Sequence, residues 1–196
     1  MVRDETVTQV PPVPGSGQPL ESRVVYTIGH STRELDDFIA LLEREHIEHL
    51  ADVRSFPGSR RYPHFGSEAL AASLAERGIR YSHHRALGGR RHARADSPNG
   101  GWRNESFRGY ADYMLTPEFA TALDDLVDLA ARERTVIMCA EAVPWRCHRS
   151  MIADALVARG VIVRHILDAR TEPHRMTSFA IVKDGVLHYP PVQTEL

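Results

Sequence analysis

Two cysteines, Cys139 and Cys147, are the only thiols in the chain, and both lie in "CAEAVPWRCHRS", between an apolar run and a predicted helix. A thiol acts as a nucleophile or redox group when a nearby base, a positive charge or a helix N-terminus favours its thiolate. Glu141, His148 and Arg149 belong to the same segment. Because His148 and Arg149 open the helix, Cys147 is better placed for this effect than Cys139. We therefore expect Cys147 to have the lower pKa.

The same segment leaves other interpretations open. Cys139, at the end of an apolar strand, also fits a small buried hydrophobe. The Cys-x7-Cys spacing disfavours structural zinc, and the adjacent side chains of Cys147 and His148 are expected to diverge. A catalytic ion stays open, with further ligands available from His30, Asp52 or His84. A disulfide between the two cysteines also stays open, because a loop of this length brings two Cα atoms within reach. The sequence thus names no metal ligand and no cofactor.

Titratable residues or glycines also follow three other apolar runs. A histidine beside a carboxylate serves as a base near neutral pH, and arginine suits phosphates or carboxylates. The candidate catalytic residues are His30, Asp52, Cys139, Glu141, Cys147 and His148. The candidate substrate-binding residues are Gly29, Ser31, Arg54, Ser55, His84, Gly88, Gly89, Arg90 and Arg149.

Alternating strands and helices must position these residues. Hydrophobic periodicity predicts strands over 24–31, 49–55, 79–84, 134–141 and 161–167. Helices are expected over 32–47, 67–78, 106–115, 116–133 and 147–160, with Thr32, Ser67 and Thr116 as N-caps. Asp184-Gly185 predicts a C-terminal β-hairpin. The pattern predicts a single three-layer α/β domain over 23–196, with a mostly parallel sheet flanked by helices. Ligands then collect at the carboxyl ends of the strands.

Composition narrows the class of protein. A formal charge of −2 argues against a generally nucleic-acid-binding chain, and no run reaches the about 18 apolar residues of a membrane span. Residues 1–22 lack an apolar signal-peptide region and are expected to form a flexible tail. With only two cysteines near polar residues, we expect a reducing, cytoplasmic location.

Four motifs in order resemble the signature blocks of the bacterial domain of unknown function 488 family. They are "TIGHS", "DVRSFPGS", "YSHHRALGGRR" and "CAEAVPWRCHRSMIADAL", and the resemblance covers about 24–168. The resemblance implies an enzyme, with no assigned reaction. Carried over to this chain, the motif residues are Gly29, His30, Ser31, Asp52, Arg54, Pro57, Ser59, His84, Leu87, Gly88, Gly89, Cys139, Glu141, Pro144, Cys147, His148 and Arg149.

We therefore expect an enzyme, a hydrolase or a transferase, that acts on an anionic substrate such as a nucleotide or another phosphorylated molecule. Arg54, Arg90 and Arg149 would bind the anion, and His30 with Asp52 or Glu141 would handle the proton. A first alternative is a nucleic-acid-binding or regulatory module that uses the segment 77–108, which contains eight arginines and only two acidic residues. A second is a metal-dependent or rhodanese-like sulfur or redox enzyme, because "DVRS" and a strand that ends in cysteine resemble the rhodanese layout. The phosphatase pattern Cys-x5-Arg is absent. The oligomeric state stays open.

Overall fold

The sheet brings the ends of five parallel strands to one edge. A computed structural model describes residues 23–58, 61–168 and 170–191, so the predicted tail over 1–22 and the motif residue Ser59 lie outside the described residues. The strands are β1 (Val24–Gly29), β2 (His49–Asp52), β3 (Arg80–His83), β4 (Thr135–Cys139), β5 (Ile162–Ile166) and β6 (Thr171–Pro173). Their order is β3-β2-β4-β1-β5-β6. The first five strands run parallel, and β6 is antiparallel to β5.

Helices cover both faces of the sheet. They are α1 (Leu35–Arg44), α2 (Ser67–Ala75), α3 (Glu105–Tyr113), α4 (Pro117–Ala130) and α5 (Arg149–Ala158). Successive strand residues point to opposite faces, so Val136 and Met138 pack with α1 and α2, while Ile137 and Cys139 pack with α3, α4 and α5. The predicted three-layer α/β fold is confirmed, and Cys139 is placed on the face covered by α5.

Two of the three predicted helix caps are wrong. Helix α1 begins after Glu34, so Thr32 lies outside the helix and does not cap it. The intervening residues form a tight turn, in which Ser31 has a φ of 50° and donates its backbone N–H to the Ala140 carbonyl. Ser67 is the first residue of α2 and not its cap. The predicted cap of α4 is confirmed, because the Thr116 side chain accepts the Phe119 N–H.

The arginine-rich segment between β3 and α3 is folded against α3, although its sequence predicts no structure of its own. The Asp112 carboxylate accepts hydrogen bonds from the Arg94 backbone N–H at 2.9 Å and from the Asn99 side chain at 3.0 Å. The Ser97 hydroxyl donates to the same carboxylate. Since Asn99 is fully buried and also accepts the Tyr189 N–H, the middle of this segment is anchored.

The predicted C-terminal hairpin is confirmed. Its strands are β7 (Ile181–Lys183) and β8 (Val186–His188), and they pair with each other and not with the main sheet. Asp184 and Gly185 both have positive φ, as a two-residue hairpin turn requires. Within the described part of the chain, no helix is both long enough and apolar enough to cross a membrane.

Candidate functional site

The two cysteines and one histidine converge at the end of β4. Cys139 is the last residue of β4 and pairs in register with Gly29, while Cys147 lies just before α5. The Sγ atoms of both cysteines and a ring nitrogen of His148 all lie within 4.8 Å of one another. Both cysteines are buried and free. Residues eight positions apart along the loop are therefore close neighbours in space.

His148 is held in one orientation. Its Nε2 lies 3.0 Å from the Val53 carbonyl oxygen, which can only accept, so Nε2 carries a proton. In the neutral ring Nδ1 then has a free lone pair, and it lies 3.6 Å from Cys147 Sγ. Gly89 packs against the ring, since a Cβ at that position would lie 2.4 Å from Nδ1. The motif glycine therefore makes room for the histidine.

The surroundings of the two thiols shift their pKa values in opposite directions. The pKa of Cys147 lies well below its ordinary value, first because the Cys139 thiol donates a hydrogen bond to its sulfur, and then because of His148 and Arg149. The same hydrogen bond, together with burial, raises the pKa of Cys139. This direction agrees with the order expected from the sequence. Cys147 is thus the more acidic thiol of the pair, and Cys139 is its hydrogen-bond donor.

Arg149 supports the loop from inside the protein. Its side chain is almost fully buried, and its guanidinium donates to the backbone carbonyls of Glu141 and Ala142 and, at 3.4 Å, to the Thr27 hydroxyl. Gly29 packs beside this carbonyl, because a Cβ there would lie 1.7 Å from the Glu141 oxygen. These contacts fix the loop between the cysteines, and they direct both Nη atoms of the guanidinium, which was expected to bind an anion, to groups inside the protein.

Asp52 and Arg54 form a buried ion pair. The Arg54 Nε lies 2.9 Å from one Asp52 oxygen, and its Nη2 lies 2.5 Å from the other. The Tyr81 hydroxyl donates to the same carboxylate at 2.8 Å. With these partners Asp52 holds Arg54 in place, and its oxygens are taken up by hydrogen bonds rather than free to accept a proton from a substrate.

His30 lies beside this pair and stacks on Phe65 at 4.3 Å between ring centroids. Its Nδ1 donates to the Ser31 carbonyl at 3.0 Å, which leaves Nε2 to face Arg54 at 3.4 Å. Burial, followed by the charge of Arg54, lowers the pKa of His30 to about 4. His30 is thus a neutral, buried neighbour of Arg54 at neutral pH.

A cavity of about 600 Å³ opens onto the cysteine pair. The sequence-predicted residues that line it are Arg54, Ser55, Gly89, Arg90, Cys139, Glu141, Cys147 and His148. Three of its lining residues are arginines, Arg54, Arg90 and Arg146, against one carboxylate, Glu141. An excess of positive charge in a cavity favours an anionic ligand.

The other predicted residues do not line this cavity. The Gly88 backbone packs against Ser55, and a side chain does not fit there, because a Cβ at position 88 would lie 2.7 Å from the Ser55 Oγ. His84 belongs to a separate chain of hydrogen bonds, in which its Nε2 lies 2.9 Å from the Ser82 hydroxyl and that hydroxyl lies 2.7 Å from His49. The remaining predicted residues outside the cavity lining are Gly29, His30, Ser31, Asp52 and Arg149.

Sequence reasoning missed several lining residues. Arg146 follows Pro144 and Trp145 in a short turn within the cysteine loop. Its place inside the fourth motif was a signal that could have identified it. Phe56 directly follows "DVRS" and is 62% exposed at the cavity rim. Asn104 gives no signal in the sequence, because the folded segment before α3 brings it to the cavity.

A buried histidine pair was also missed. His174 Nε2 donates to Asp154 at 2.8 Å, and its Nδ1 lies 2.9 Å from His165 Nε2. His165 Nδ1 lies 2.8 Å from the Thr27 hydroxyl, which is also a partner of Arg149. Burial, and then the neighbouring ring of His174, lower the pKa of His165 to about 4. This chain connects the interior of α5 with the residue that holds the cysteine loop.

Comparison with known families gives one match. The family model described as "Domain of unknown function DUF488" matches residues 34–156, which include the second, third and fourth motifs and the whole cysteine loop. Searches of curated proteins and of solved structures gave no match. The match covers more than half of the 196 residues. The chain therefore belongs to the DUF488 family.

Proposed function

We propose that the chain is an enzyme that acts on an anionic substrate, with Cys147 as its reactive thiol. The observation that carries this proposal is the meeting of two features in one cavity. The Cys147–His148 pair, 3.6 Å apart, and the side chains of Arg54, Arg90 and Arg146 line the same space. Each feature alone is common, whereas a thiol–imidazole pair inside a cationic cavity provides both a reactive group and a means of binding its substrate.

Two of these arginines are held in place before any ligand arrives. Asp52 binds the fork of Arg54, and the guanidinium of Arg90 lies 5.1 Å above the centre of the Phe56 ring. Held side chains lose little rotamer freedom on binding. Arg90 has no carboxylate partner among the described residues, so its charge is available to an anion, whereas Asp52 balances the charge of Arg54. Phe56 and Trp145 are both exposed at the rim and offer flat apolar faces. These features support a phosphorylated substrate with a planar part, such as a nucleotide.

The chemistry that fits this pair is nucleophilic. The proton of Cys147 passes to His148 Nδ1, whose ring is already oriented by the Val53 carbonyl. The thiolate then attacks an electrophilic atom of the substrate, and the leaving group takes the proton from the imidazolium. Water, in a hydrolase, or an acceptor molecule, in a transferase, resolves the covalent intermediate and restores the thiol.

Alkylation with a matched pair of reagents tests this proposal. Iodoacetate is anionic and iodoacetamide is neutral, so the ratio of their rates at Cys147 measures the preference of the cavity for an anion. In metal-free protein we expect Arg90→Glu to lower that ratio about fivefold or more, as about 1 kcal/mol of charge interaction implies. Arg132→Glu, at the opposite end of β4, is the matched control and keeps the wild-type ratio. An unchanged ratio in Arg90→Glu would refute the proposed anion site.

A nucleic-acid-binding function draws less support from the same arginine-rich segment. Arg94 pairs with Asp96 at 2.8 Å, and Arg80 pairs with Glu133 at 2.8 Å. The guanidinium of Arg91 donates to the backbone carbonyls of Arg90 and Ala86. Because intramolecular partners occupy these side chains, the segment offers fewer free charges to phosphates than its composition suggests.

A further inference from the structure

Three soft donor atoms converge beside the cavity. The Sγ atoms of Cys139 and Cys147 and the Nδ1 face of His148 lie within 4.8 Å of one another, and all three residues are shielded from solvent. A tetrahedral zinc ion bound at about 2.3 Å to sulfur and about 2.0–2.1 Å to nitrogen places these two ligand atoms about 3.5–3.6 Å apart. The observed distance from Cys147 Sγ to His148 Nδ1 is 3.6 Å. One edge of the coordination tetrahedron therefore has the required length already.

The imidazole is in the form that binds metals. The Val53 carbonyl accepts the Nε2 proton at 3.0 Å, so Nδ1 presents its lone pair towards the sulfurs. A backbone carbonyl bound to the distal nitrogen is the usual support of a metal-ligating histidine, because it fixes both the tautomer and the ring orientation. Gly89 packs against the ring at Nδ1, Cγ and Cε1 and leaves no room for it to shift in that direction.

The sequence-based expectation that the side chains of Cys147 and His148 diverge is wrong for this loop. Divergence holds for an extended strand, but here the backbone changes from φ −138°, ψ 147° at Cys147 to φ −57°, ψ −14° at His148. The chain turns into α5 at this point, so the two adjacent side chains meet instead of pointing apart.

From this geometry we infer that Cys139, Cys147 and His148 form a three-ligand site for one zinc-class cation, with its fourth coordination position facing the cavity. Binding converts two thiols and one Zn²⁺ into a neutral dithiolate complex and releases two protons. A site with three protein ligands and one open position accepts water or an anion as the fourth ligand. The arginines that line the cavity would hold that anion.

Zinc and the free thiol of Cys147 exclude each other. A thiolate that is bound to the ion shares one lone pair with it and is a weaker nucleophile, so zinc lowers the reactivity of Cys147 in the proposed reaction. The metal site does not depend on that reaction, since metal binding is measured on the protein without any substrate.

Metal titration of the full chain tests the site directly. Protein stripped with a chelator and titrated with Zn²⁺ against a chromophoric indicator should bind one ion per chain. Cys139→Ser, Cys147→Ser and His148→Gln should each weaken binding at least tenfold. His84→Gln replaces a partly buried histidine outside the cluster and should bind as the wild type does.

Cobalt substitution provides a readout that does not need the variants to fold. Co²⁺ bound by two thiolates gives a thiolate-to-metal charge-transfer absorption. Zn²⁺ should displace the Co²⁺, abolish that absorption and slow the reaction of both cysteines with iodoacetamide. Absence of this absorption in the wild type, less than about half an ion bound per chain, or unchanged affinity in Cys139→Ser would overturn the metal site. The anion preference of the metal-free thiol reports on the proposed reaction separately, so failure of either proposal is distinguishable from failure of the other.

Discussion

Gly89→Ala should disable the cysteine pair without touching it. A Cβ at position 89 would lie 2.4 Å from His148 Nδ1, 2.6 Å from Cγ and 2.9 Å from Cε1. The backbone at Gly89 is not in the left-handed region, so the collision with the ring is the whole effect. To regain van der Waals contact the imidazole must move by about 1 Å, away from the position in which it bridges Val53 and Cys147.

The cost follows from the contacts that this movement breaks. Losing the hydrogen bond to the Val53 carbonyl costs about 1 kcal/mol, and the overpacked ring adds about 1–3 kcal/mol. We therefore expect the free energy of unfolding to fall by about 2–4 kcal/mol. A base displaced by about 1 Å loses much of its effect, so alkylation of Cys147 by iodoacetamide should slow by about tenfold to a hundredfold.

The assay compares two glycine variants in metal-free protein. Alkylation rates of Cys147 are measured by mass spectrometry of the labelled peptide, without denaturant, on protein that is shown to be folded. Gly58→Ala is the matched control, because an added Cβ there meets no atom within 4 Å, and it should react as the wild type does. If Gly89→Ala labels at the wild-type rate while it is folded, His148 is not the base of Cys147 and the proposed pair is refuted.

Two further predictions concern stability. In the folded protein the pKa of His30 and of His165 is about 4, whereas the ordinary value is 6.5. As pH falls, these histidines are therefore protonated first in the unfolded chain. The stability that they contribute is fully present above pH 6.5 and is lost between pH 6.5 and pH 4. From pH 7 to pH 5 urea unfolding should show a loss of about 2 kcal/mol per histidine, and a flat profile would contradict this. Asp112→Ala should cost about 2–3 kcal/mol and speed proteolysis near Asn99, whereas exposed Asp128→Ala should change neither; equal proteolysis of both would contradict the anchoring.

The strands and most helices could be predicted because apolar periodicity is local. The prediction that strand ends gather the polar residues depends only on the strands being parallel, and the register of Gly29 with Cys139 agrees with it. Strand order, in contrast, could not be predicted from the sequence. That β4 lies between β1 and β2 depends on long-range packing, and no spacing along the sequence encodes it. Proximity of Cys139 to Arg54 at the cavity follows from this order.

Residue types are visible in the sequence, but side-chain directions are not. Arg146 and Arg149 stand three positions apart in one motif, yet Arg146 lines the cavity while Arg149 is buried against loop carbonyls. The short turn over Pro144–Arg146 and the first turn of α5 set these directions, and both depend on the packing of the loop. In the same way, His30 was expected to handle the proton, and His148 was only one of the catalytic candidates. Only His148 lines the cavity beside a thiol, whereas His30 faces Arg54.

The motif positions of this family therefore serve two physical purposes, and loss of activity alone does not distinguish them. Gly29 and Arg149 keep the cysteine loop in shape, since one leaves space for the Glu141 carbonyl and the other binds it. Arg90 and Cys147 face the cavity. Substituting a loop-shaping residue lowers the free energy of unfolding and thiol reactivity together. We expect substitution of Arg90 to change the iodoacetate preference at constant stability, so the two measurements made on the same variant should separate a residue that binds substrate from one that holds the loop.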